Sequence, residues 1–345
     1  MKAAPVIAAL SRHVHVTQLL VHTGQHYDAN MSLVFFQDLG LPEPDVNLEV
    51  GSGSHAVQTA EVMTRFEPVA LAQKPDWVLV YGDVNSTVAV SLVCAKLGIP
   101  VAHVEAGLRS FDRAMPEEIN RLLTDQIADL LFTPSVDGNE NLAREGIAPQ
   151  KVHLVGNVMI DTLVRLLPKA EQRWPALQAA QHLAGYGLVT LHRPSNVDDP
   201  SMLLQIITAL NEISQQIPLL FPMHPRTRQR LSHFPLTIDH STLTIIPPVG
   251  YLDFLALQRH ARLVITDSGG IQEETTFLGV PCLTMRENTE RPVTVAVGTN
   301  TLVGQDMACL QEETAAILAG SGKQGSIPPL WDGRAGQRIA QVLAG

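Results

Sequence analysis

Acidic residues follow apolar runs of the sequence at the points where those runs end. Asp83 follows the run Trp77–Tyr81, Glu105 follows Val101–Val104, and Glu117 opens a predicted helix. Each acid has a structural explanation, as a helix N-cap, as a partner in an ion pair with Arg109, or as an acid favoured in a first helical turn. Those explanations account less well for three acidic segments in succession. We therefore predict that these carboxylates take part in chemistry.

Two His-Arg combinations occupy equivalent positions in the second half of the chain. His192 follows one apolar run and is followed by Arg193, and His224 follows the next run and precedes Arg226 by two residues. Single histidines are usually structural. A histidine beside an arginine at the end of a strand can also act as a general acid or base with a phosphate clamp. The repetition favours a functional role.

The segment Thr266–Glu274 carries the strongest local signal. An apolar strand runs into Ser268-Gly269-Gly270 and then into a helix, which leaves backbone N–H groups free to bind a phosphate. Glu274, one turn into the helix, is placed to accept hydrogen bonds from ribose hydroxyls, and Arg291 could neutralise phosphate charge. The pattern is neither a P-loop nor a GxGxxG fingerprint, and an ordinary strand–helix turn stays open as an alternative. Taken as a binding segment, Thr266–Glu274 with Arg291 predicts a nucleotide diphosphate site.

The elements that position these residues read as parallel strands and helices in alternation. Ten continuously apolar runs are typical of strands buried on both faces: Thr17–Val21, Trp77–Tyr81, Val101–Val104, Leu130–Phe132, Val152–Val155, Leu188–Leu191, Leu219–Met223, Leu243–Ile246, Leu263–Thr266 and Pro281–Thr284. Helical patterns between them include Thr87–Leu97, Glu117–Ala128, Asn157–Leu167, Pro200–Gln215 and Gly270–Leu278. The alternation predicts an α/β protein with two doubly wound, Rossmann-like domains, residues 1–167 and 168–332, facing a central cleft. The boundary precedes a polar, proline-containing stretch, Lys169–Gly187.

Composition excludes several classes of function. The 345 residues are 45% hydrophobic and carry a formal net charge of −10, which argues against nucleic acid and anionic membranes as partners. Cys94, Cys282 and Cys309 form neither a disulfide framework nor a zinc pattern, which indicates a reducing compartment. We find no long apolar run and no signal-peptide pattern. We therefore expect a cytoplasmic protein.

Together the motifs resemble those of the non-hydrolysing UDP-N-acetylglucosamine 2-epimerase family. The resembling segments span nearly the whole chain in the family's order: Thr23-Gly24-Gln25-His26, Gly82-Asp83, His103–Arg109, Pro116–Arg121, Gly156-Asn157 with Asp161, Leu191-His192-Arg193, Asp267–Glu274 and Thr289–Pro292. The resemblance implies a GT-B-like fold in which the C-terminal helix, within residues 333–345, packs back on the first domain. It also implies a homodimer that supplies cell-envelope polysaccharide synthesis.

The resemblance also implies a reaction and a set of site residues. UDP-N-acetylglucosamine and UDP-N-acetylmannosamine would be interconverted by elimination and re-addition of UDP, without a cofactor or a metal. The implied catalytic residues are Asp83, Glu105, Glu117 and His192, with acid and base left unassigned among the carboxylates. The implied UDP-sugar ligands are Lys2, Gln25, Arg109, His224, Arg226, Phe254, Ser268, Gly269, Gly270, Glu274 and Arg291. Among these, Phe254 matches the segment that holds uracil.

The chain departs from the family pattern in two places. The family opens with a β-strand and a Gly-Thr-Arg-Pro-Glu segment, whereas Met1-Lys2-Ala3-Ala4-Pro5 matches only the stretch that follows it. We therefore expect the first strand to be missing from this chain, with a loss of stability and activity. The second departure lies in residues 26–30 and 51–55, which lack the pattern of a second substrate site. They resemble instead the branch that acts on UDP-2,3-diacetamido uronic acids.

Other readings stay open at this point. A hydrolysing relative would release N-acetylmannosamine and UDP. A GT-B glycosyltransferase would share the nucleotide site but would need an acceptor. A binding protein could keep the UDP site without catalysis.

Overall fold

The computed structural model of the chain describes residues 1–24, 39–231 and 239–345, without the side chains at positions 225 and 226. It divides into two compact units. The N-terminal unit comprises Met1–Thr162 with Pro329–Gly345, and the C-terminal unit comprises Leu163–Pro328. The predicted boundary at Leu167 therefore lies five residues beyond Thr162, inside a helix that runs from Val158 to Gln181.

The N-terminal unit alternates short strands with helices. Its strands are β1 (Val21–His22), β2 (Val46–Asn47), β3 (Val78–Tyr81), β4 (Val101–Val104), β5 (Leu130–Thr133) and β6 (Val152–Leu154). Its helices are α1 (Ala3–Leu10), α2 (His55–Gln73), α3 (Asn85–Leu97), α4 (Pro116–Ile127) and α5 (Val136–Arg144), followed by the start of α6 (Val158–Gln181).

Strands β3 to β6 form one parallel sheet in the order β3-β4-β5-β6, and β1 and β2 form a separate parallel pair. Val78 pairs with Val101 and Tyr81 with Val104, so β3 and β4 end level with each other. This register matters for the site, because the residues after level strand ends are neighbours.

Both faces of the four-stranded sheet are covered. One core contains residues of α2 and α3, and the other contains residues of α1 and of the C-terminal helix. Helix α1 and that helix approach closely at Gly336, where an added Cβ would lie 2.7 Å from the carbonyl oxygen of Pro5. Burial on both faces explains why these strands are continuously apolar.

The C-terminal unit has the same alternation. Its strands are β7 (Gly187–Thr190), β8 (Leu219–Pro222), β9 (Leu243–Ile246), β10 (Leu263–Thr266), β11 (Cys282–Thr284) and β12 (Asn300–Leu302). Its helices are α7 (Pro194–Val197), α8 (Pro200–Ser214), α9 (Pro225–Leu231), α10 (Tyr251–His260), α11 (Gly269–Leu278), α12 (Pro292–Ala296) and α13 (Met307–Leu318), and α14 (Ala335–Ala344) returns to the N-terminal unit.

These six strands form one parallel sheet in the order β12-β11-β10-β7-β8-β9. The chain reverses its direction of travel across the sheet between β7 and β10, which are hydrogen-bonded neighbours with Thr190 opposite Thr266. Ligands of open parallel sheets bind at such a switch point, beyond the carboxyl ends of the strands. His192 and Ser268 follow those two strands.

Three predicted strands match the structure residue for residue: β4, β9 and β10. The predicted strand Thr17–Val21 is wrong over most of its length, since pairing begins only at Val21 and the Leu20 N–H donates to the Asp45 carboxylate. The polar stretch after Lys169 continues α6 as far as Gln181. Buried Leu163, Leu166 and Ala170 recur at helical spacing and sustain this helix through Pro168.

No helix among the described residues is both long and apolar enough to cross a membrane.

Candidate active site

Asp83 follows β3 and is held by helix α4. The Arg121 guanidinium binds the Asp83 carboxylate, with Nε 3.2 Å from Oδ2, and Asn120 donates to the Asp83 backbone carbonyl at 2.9 Å. The side chain keeps about a quarter of its surface exposed, at 23%. The Arg121 contact fixes the Asp83 carboxylate and favours its ionised form. Part of the carboxylate surface stays accessible.

The two adjacent acids of α4 have different surroundings. Glu118 is buried and accepts hydrogen bonds from the Ser110 N–H and hydroxyl and from the Phe111 N–H, each at 3.0 Å, and it also pairs with Arg121. Glu117 lies on the first helical turn and is exposed. Glu118 therefore organises the loop that precedes α4, and Glu117 is the acid that a ligand can reach.

Glu105 follows β4 in a left-handed backbone conformation, with φ of 74°. Its N–H and that of Ala106 both donate to the Phe132 carbonyl at 3.0 Å, and its carboxylate forms an ion pair with Lys2. A left-handed conformation at a non-glycine residue costs of order 1–3 kcal/mol and persists only where its surroundings enforce it. The backbone conformation at Glu105 therefore sets the position of its carboxylate.

The Arg109 side chain is buried and bound to two carboxylates. Its side chain is 0% exposed, lies 2.7 Å from Asp125 and forms a two-pronged ion pair with Glu145. Burial raises the cost of charge, but the two carboxylates overcome it and raise the pKa of Arg109. We assign Arg109 to fixing the turn after Glu105, in place of the predicted ligand contact.

In the C-terminal unit, His192 is oriented by a buried acid. Asp267 accepts from His192 Nδ1 at 2.9 Å, from the backbone N–H groups of His192 and Arg193, and from Asn196 Nδ2 at 3.0 Å. Burial alone would raise the pKa of Asp267, but His192 and these donors hold it below its usual range. With Nδ1 directed at Asp267, the other ring nitrogen, Nε2, points away, on a side chain that is 59% exposed.

The Ser268-Gly269-Gly270 turn leads directly into α11, with Ser268 as its N-cap residue. An added Cβ at Gly269 would lie 2.5 Å from the Arg291 guanidinium, whereas one at Gly270 would meet no atom within 4 Å. A side chain at position 269 would therefore displace the Arg291 guanidinium, whereas position 270 has room for one. The N–H groups of the first turn lack helical acceptors, as an anion site needs.

Arg291 belongs to a buried cluster of four charges. It pairs with Glu290 and lies 2.9 Å from Glu273, and Arg286 lies 2.7 Å from Glu290. Burial alone would raise the pKa of Glu290, but the two arginines hold it far below its usual range. The two arginines balance the two glutamates, so the cluster that places Arg291 beside the glycine turn has no net charge.

Glu274 is almost fully buried on α11 and accepts a hydrogen bond from the Tyr251 hydroxyl of α10 at 2.8 Å. Burial raises the pKa of Glu274 to about 7, despite the hydrogen bond from Tyr251. Phe254 lies on the same helix as Tyr251 and is half-buried. Burial makes the Glu274 carboxylate costly to ionise without a ligand. Hydrogen bonds donated by hydroxyl groups of a ligand would stabilise the ionised form.

The structure describes less of the surroundings of the remaining predicted ligands. His224 is exposed directly after β8, and only the backbone of Arg226 is described, in α9. Gln25 lies outside the described residues. Within the described part of the chain, no group of three or more His, Cys, Asp or Glu side chains is arranged to hold a metal ion.

Comparison with known proteins places this arrangement in a family. The family profile described as UDP-N-acetylglucosamine 2-epimerase matches residues 8–344. A Methanococcus maripaludis protein named UDP-N-acetylglucosamine 2-epimerase is 42% identical over 353 residues, covering 100% of this chain and 95% of the relative. This chain belongs to the UDP-N-acetylglucosamine 2-epimerase family.

Two further relatives refine the comparison. The crystal structure of the Methanocaldococcus jannaschii UDP-GlcNAc 2-epimerase in complex with UDP-GlcNAc and UDP is 44% identical, with a TM-score of 0.89 over 99% of this chain and 95% of that one. A Pseudomonas aeruginosa protein named UDP-2,3-diacetamido-2,3-dideoxy-D-glucuronate 2-epimerase is also 44% identical, over 349 residues, covering 100% of this chain and 96% of the relative. The fold is GT-B-like, as the resemblance implied.

Several contacts within this epimerase-family site were not predicted from sequence. Arg121 and Glu118 are three residues apart on one helix, so their ion pair could have been predicted from spacing. Asp267 and His192 are 75 residues apart, and Lys2 and Glu105 are 103 apart. Only the folded sheets bring those pairs together.

The raised pKa of Glu274 predicts a pH-dependent cost to stability. An unfolded glutamate ionises near pH 4.5, but folded Glu274 ionises near pH 7, so folding is progressively penalised as pH rises through that window. We expect Glu274→Gln to raise the free energy of unfolding by about 2–3 kcal/mol at pH 8 and to change it little at pH 4.5. Denaturant titrations at both pH values measure the difference.

Glu312→Gln is the matched control, because it removes an exposed carboxylate. Equal effects of the two substitutions at pH 8 would contradict the assignment.

Proposed function

We propose that this protein interconverts UDP-N-acetylglucosamine and UDP-N-acetylmannosamine by inverting the configuration at C2. The observation that carries the proposal is the pair of carboxylates, Asp83 and Glu105, fixed after the level ends of β3 and β4. Inversion at a carbon that carries a weakly acidic hydrogen needs a base on one face and an acid on the other. The identities of 42% and 44% to proteins named as such epimerases support the substrate.

The carboxylates of the N-terminal unit would handle the proton. One carboxylate removes the C2 hydrogen as a proton while the bond between C1 and the UDP oxygen breaks, which leaves a 2-acetamidoglucal and UDP. A protonated carboxyl then returns a proton to the opposite face of C2 as UDP adds back to C1. Asp83, Glu105 and Glu117 are the candidates; Arg121 forms an ion pair with Asp83, and Lys2 forms one with Glu105.

The C-terminal unit would bind the nucleotide. The N–H groups at the start of α11, with Ser268, would hold the diphosphate, and Glu274 would accept from the ribose hydroxyls. Arg291, His224 and Arg226 would add positive charge near the phosphates, and Phe254 would contact the uracil. The departing UDP needs charge stabilisation, which His192 can provide because Asp267 fixes its ring.

The second candidate function is 2-epimerisation of a UDP-2,3-diacetamido uronic acid. The observation that favours it is the 44% identity to the Pseudomonas aeruginosa epimerase, as high as the identity to the Methanocaldococcus jannaschii enzyme. The chemistry at C2 would be the same. The two substrates differ at C3 and C6, so activity with each sugar separates them.

We further propose a homodimer that works in the cytoplasm and supplies N-acetylmannosamine to cell-envelope polysaccharide. Support for a reducing compartment comes from Cys94, Cys282 and Cys309, which are free thiols. The oligomer and the pathway rest on the family resemblance.

Incubation with UDP-N-acetylglucosamine in deuterated water, followed by proton NMR, tests the reaction. We expect UDP-N-acetylmannosamine carrying deuterium at C2, because the returning proton comes from a group that exchanges with solvent. Free N-acetylmannosamine with UDP would identify hydrolysis instead. Turnover of only the diacetamido uronic acid would select the second candidate.

Gly270 offers a direct test of the phosphate site. Since packing leaves room for a Cβ there, Gly270→Ala should fold with an unchanged or slightly higher melting temperature. We expect it to weaken UDP binding about tenfold or more, because the methyl group would stand where the diphosphate approaches the helix. Calorimetric titration with UDP gives the dissociation constant.

Gly250→Ala is the control, since position 250 also has open space for a Cβ but lies just before α10 instead of in the first turn of α11. An unaltered dissociation constant for Gly270→Ala would place the diphosphate elsewhere.

A further inference from the structure

His103 lies beneath the two fixed carboxylates without being one of the predicted site residues. It is on β4, two residues before Glu105, and is 0% exposed. Its Nδ1 lies 2.6 Å from the Asp125 carboxylate of α4, and its Nε2 lies 2.8 Å from the backbone carbonyl oxygen of Gly82. Gly82 immediately precedes Asp83, so the ring connects the Asp83 loop to the strand that carries Glu105.

The partners of the ring fix its protonation state. A carbonyl oxygen and a carboxylate oxygen only accept hydrogen bonds, and a neutral imidazole has a single N–H to donate. A neutral His103 would therefore point a lone pair at one of two acceptors while buried. An imidazolium satisfies both, because each of its nitrogens carries a proton.

A proton on Asp125 instead of His103 is the competing arrangement. The other Asp125 oxygen lies 2.7 Å from the Arg109 guanidinium and accepts from the Gly107 N–H at 3.1 Å. These two donors stabilise the ionised form of the Asp125 carboxylate independently of His103. Asp125 is therefore the ionised partner.

Charge balance agrees with this assignment. The charged groups around the ring are Asp125, Arg109 and Glu145, with two negative charges and one positive, which leaves −1 if His103 is neutral and zero if it is protonated. The Lys2–Glu105 ion pair packs against Gly82, near the other partner of the ring. Buried charge is tolerated where it is paired and fully hydrogen-bonded.

We propose that His103 is an imidazolium that holds the Gly82 carbonyl and the Asp125 carboxylate together, and so positions Asp83 relative to Glu105. Asp125 contributes to this positioning, because it also binds the Gly107 N–H and the Arg109 guanidinium in the turn after Glu105. His103 touches neither substrate nor reacting atoms. It acts through the two loops as a positioning residue, and its effect on the reaction rests on the proposed function.

Nitrogen NMR of histidine-labelled protein tests the protonation state without any assay of activity. The chain has 13 histidines, and the signals lost in His103→Gln assign the ring. We expect both ring nitrogens of His103 to carry slowly exchanging protons at pH 7. An unprotonated ring nitrogen at pH 7 would overturn the proposal, whether or not the protein is an epimerase.

Two variants test the positioning role. Asp125→Asn should convert the His103 ring to the neutral form, whereas Gln126→Ala, at the exposed neighbouring position, should leave it protonated. In His103→Gln we expect the kcat for deuterium exchange at C2 to fall about 10–100-fold, because small displacements of reacting groups cost that much. The dissociation constant of UDP should stay within twofold, because UDP is assigned to the C-terminal unit.

An unaltered kcat in His103→Gln would contradict the positioning role. If that variant does not fold, the wild-type spectrum and its change in Asp125→Asn still decide the protonation state. Absence of C2 exchange in the wild type would refute the proposed function alone.

Discussion

The ion pair between Asp125 and its partners fixes the geometry on which the N-terminal site depends. One carboxylate with no exposed surface binds His103 on β4, the Gly107 N–H of the following turn and the Arg109 guanidinium. Such a charge is stable in the interior only when every lone pair has a donor. The turn after β4 must therefore close around it, and that closure puts Glu105 into its left-handed conformation beside Lys2.

The C-terminal unit also has a buried aspartate that is stabilised by hydrogen-bond donors. Asp267 has no exposed side-chain surface and collects donors from His192, Arg193 and Asn196, which fixes the chain as it leaves β7. In each unit a buried aspartate next to the end of a central strand binds a histidine and the backbone N–H groups of the adjoining turn. Two of the groups assigned to chemistry are held by ion pairs, Asp83 by Arg121 and His192 by the buried Asp267.

The sequence predicted the strands that are buried on both faces and failed where burial is partial. Runs such as Leu263–Thr266 are buried throughout and mostly apolar, so their ends and the residues after them could be located. Strand β2, Val46–Asn47, and strand β12, Asn300–Leu302, are short and partly polar and gave no such signal. Helix α2, His55–Gln73, also went unpredicted; it contains Pro68 and has only three buried residues.

The candidate site was predictable to the same degree and for the same reason. Acids and glycines after strand ends could be identified one by one, since position along the chain fixes position at the sheet edge. Their partners could not, because Lys2, Asp125 and Asp267 meet them only across the fold. The burial of Arg109 was not predicted, because an arginine next to an acid in sequence can face either solvent or the core.

Division of labour between the two units is the central claim, and two measurements on one variant test it most directly. In Asp83→Asn, which removes a negative charge but keeps the shape of the side chain, UDP affinity and the rate of deuterium incorporation at C2 should separate. We predict a dissociation constant for UDP within twofold of wild type and a loss of C2 exchange of about 100-fold or more. Unchanged exchange, or a parallel loss of UDP affinity, would contradict the assignment of proton transfer to the N-terminal carboxylates.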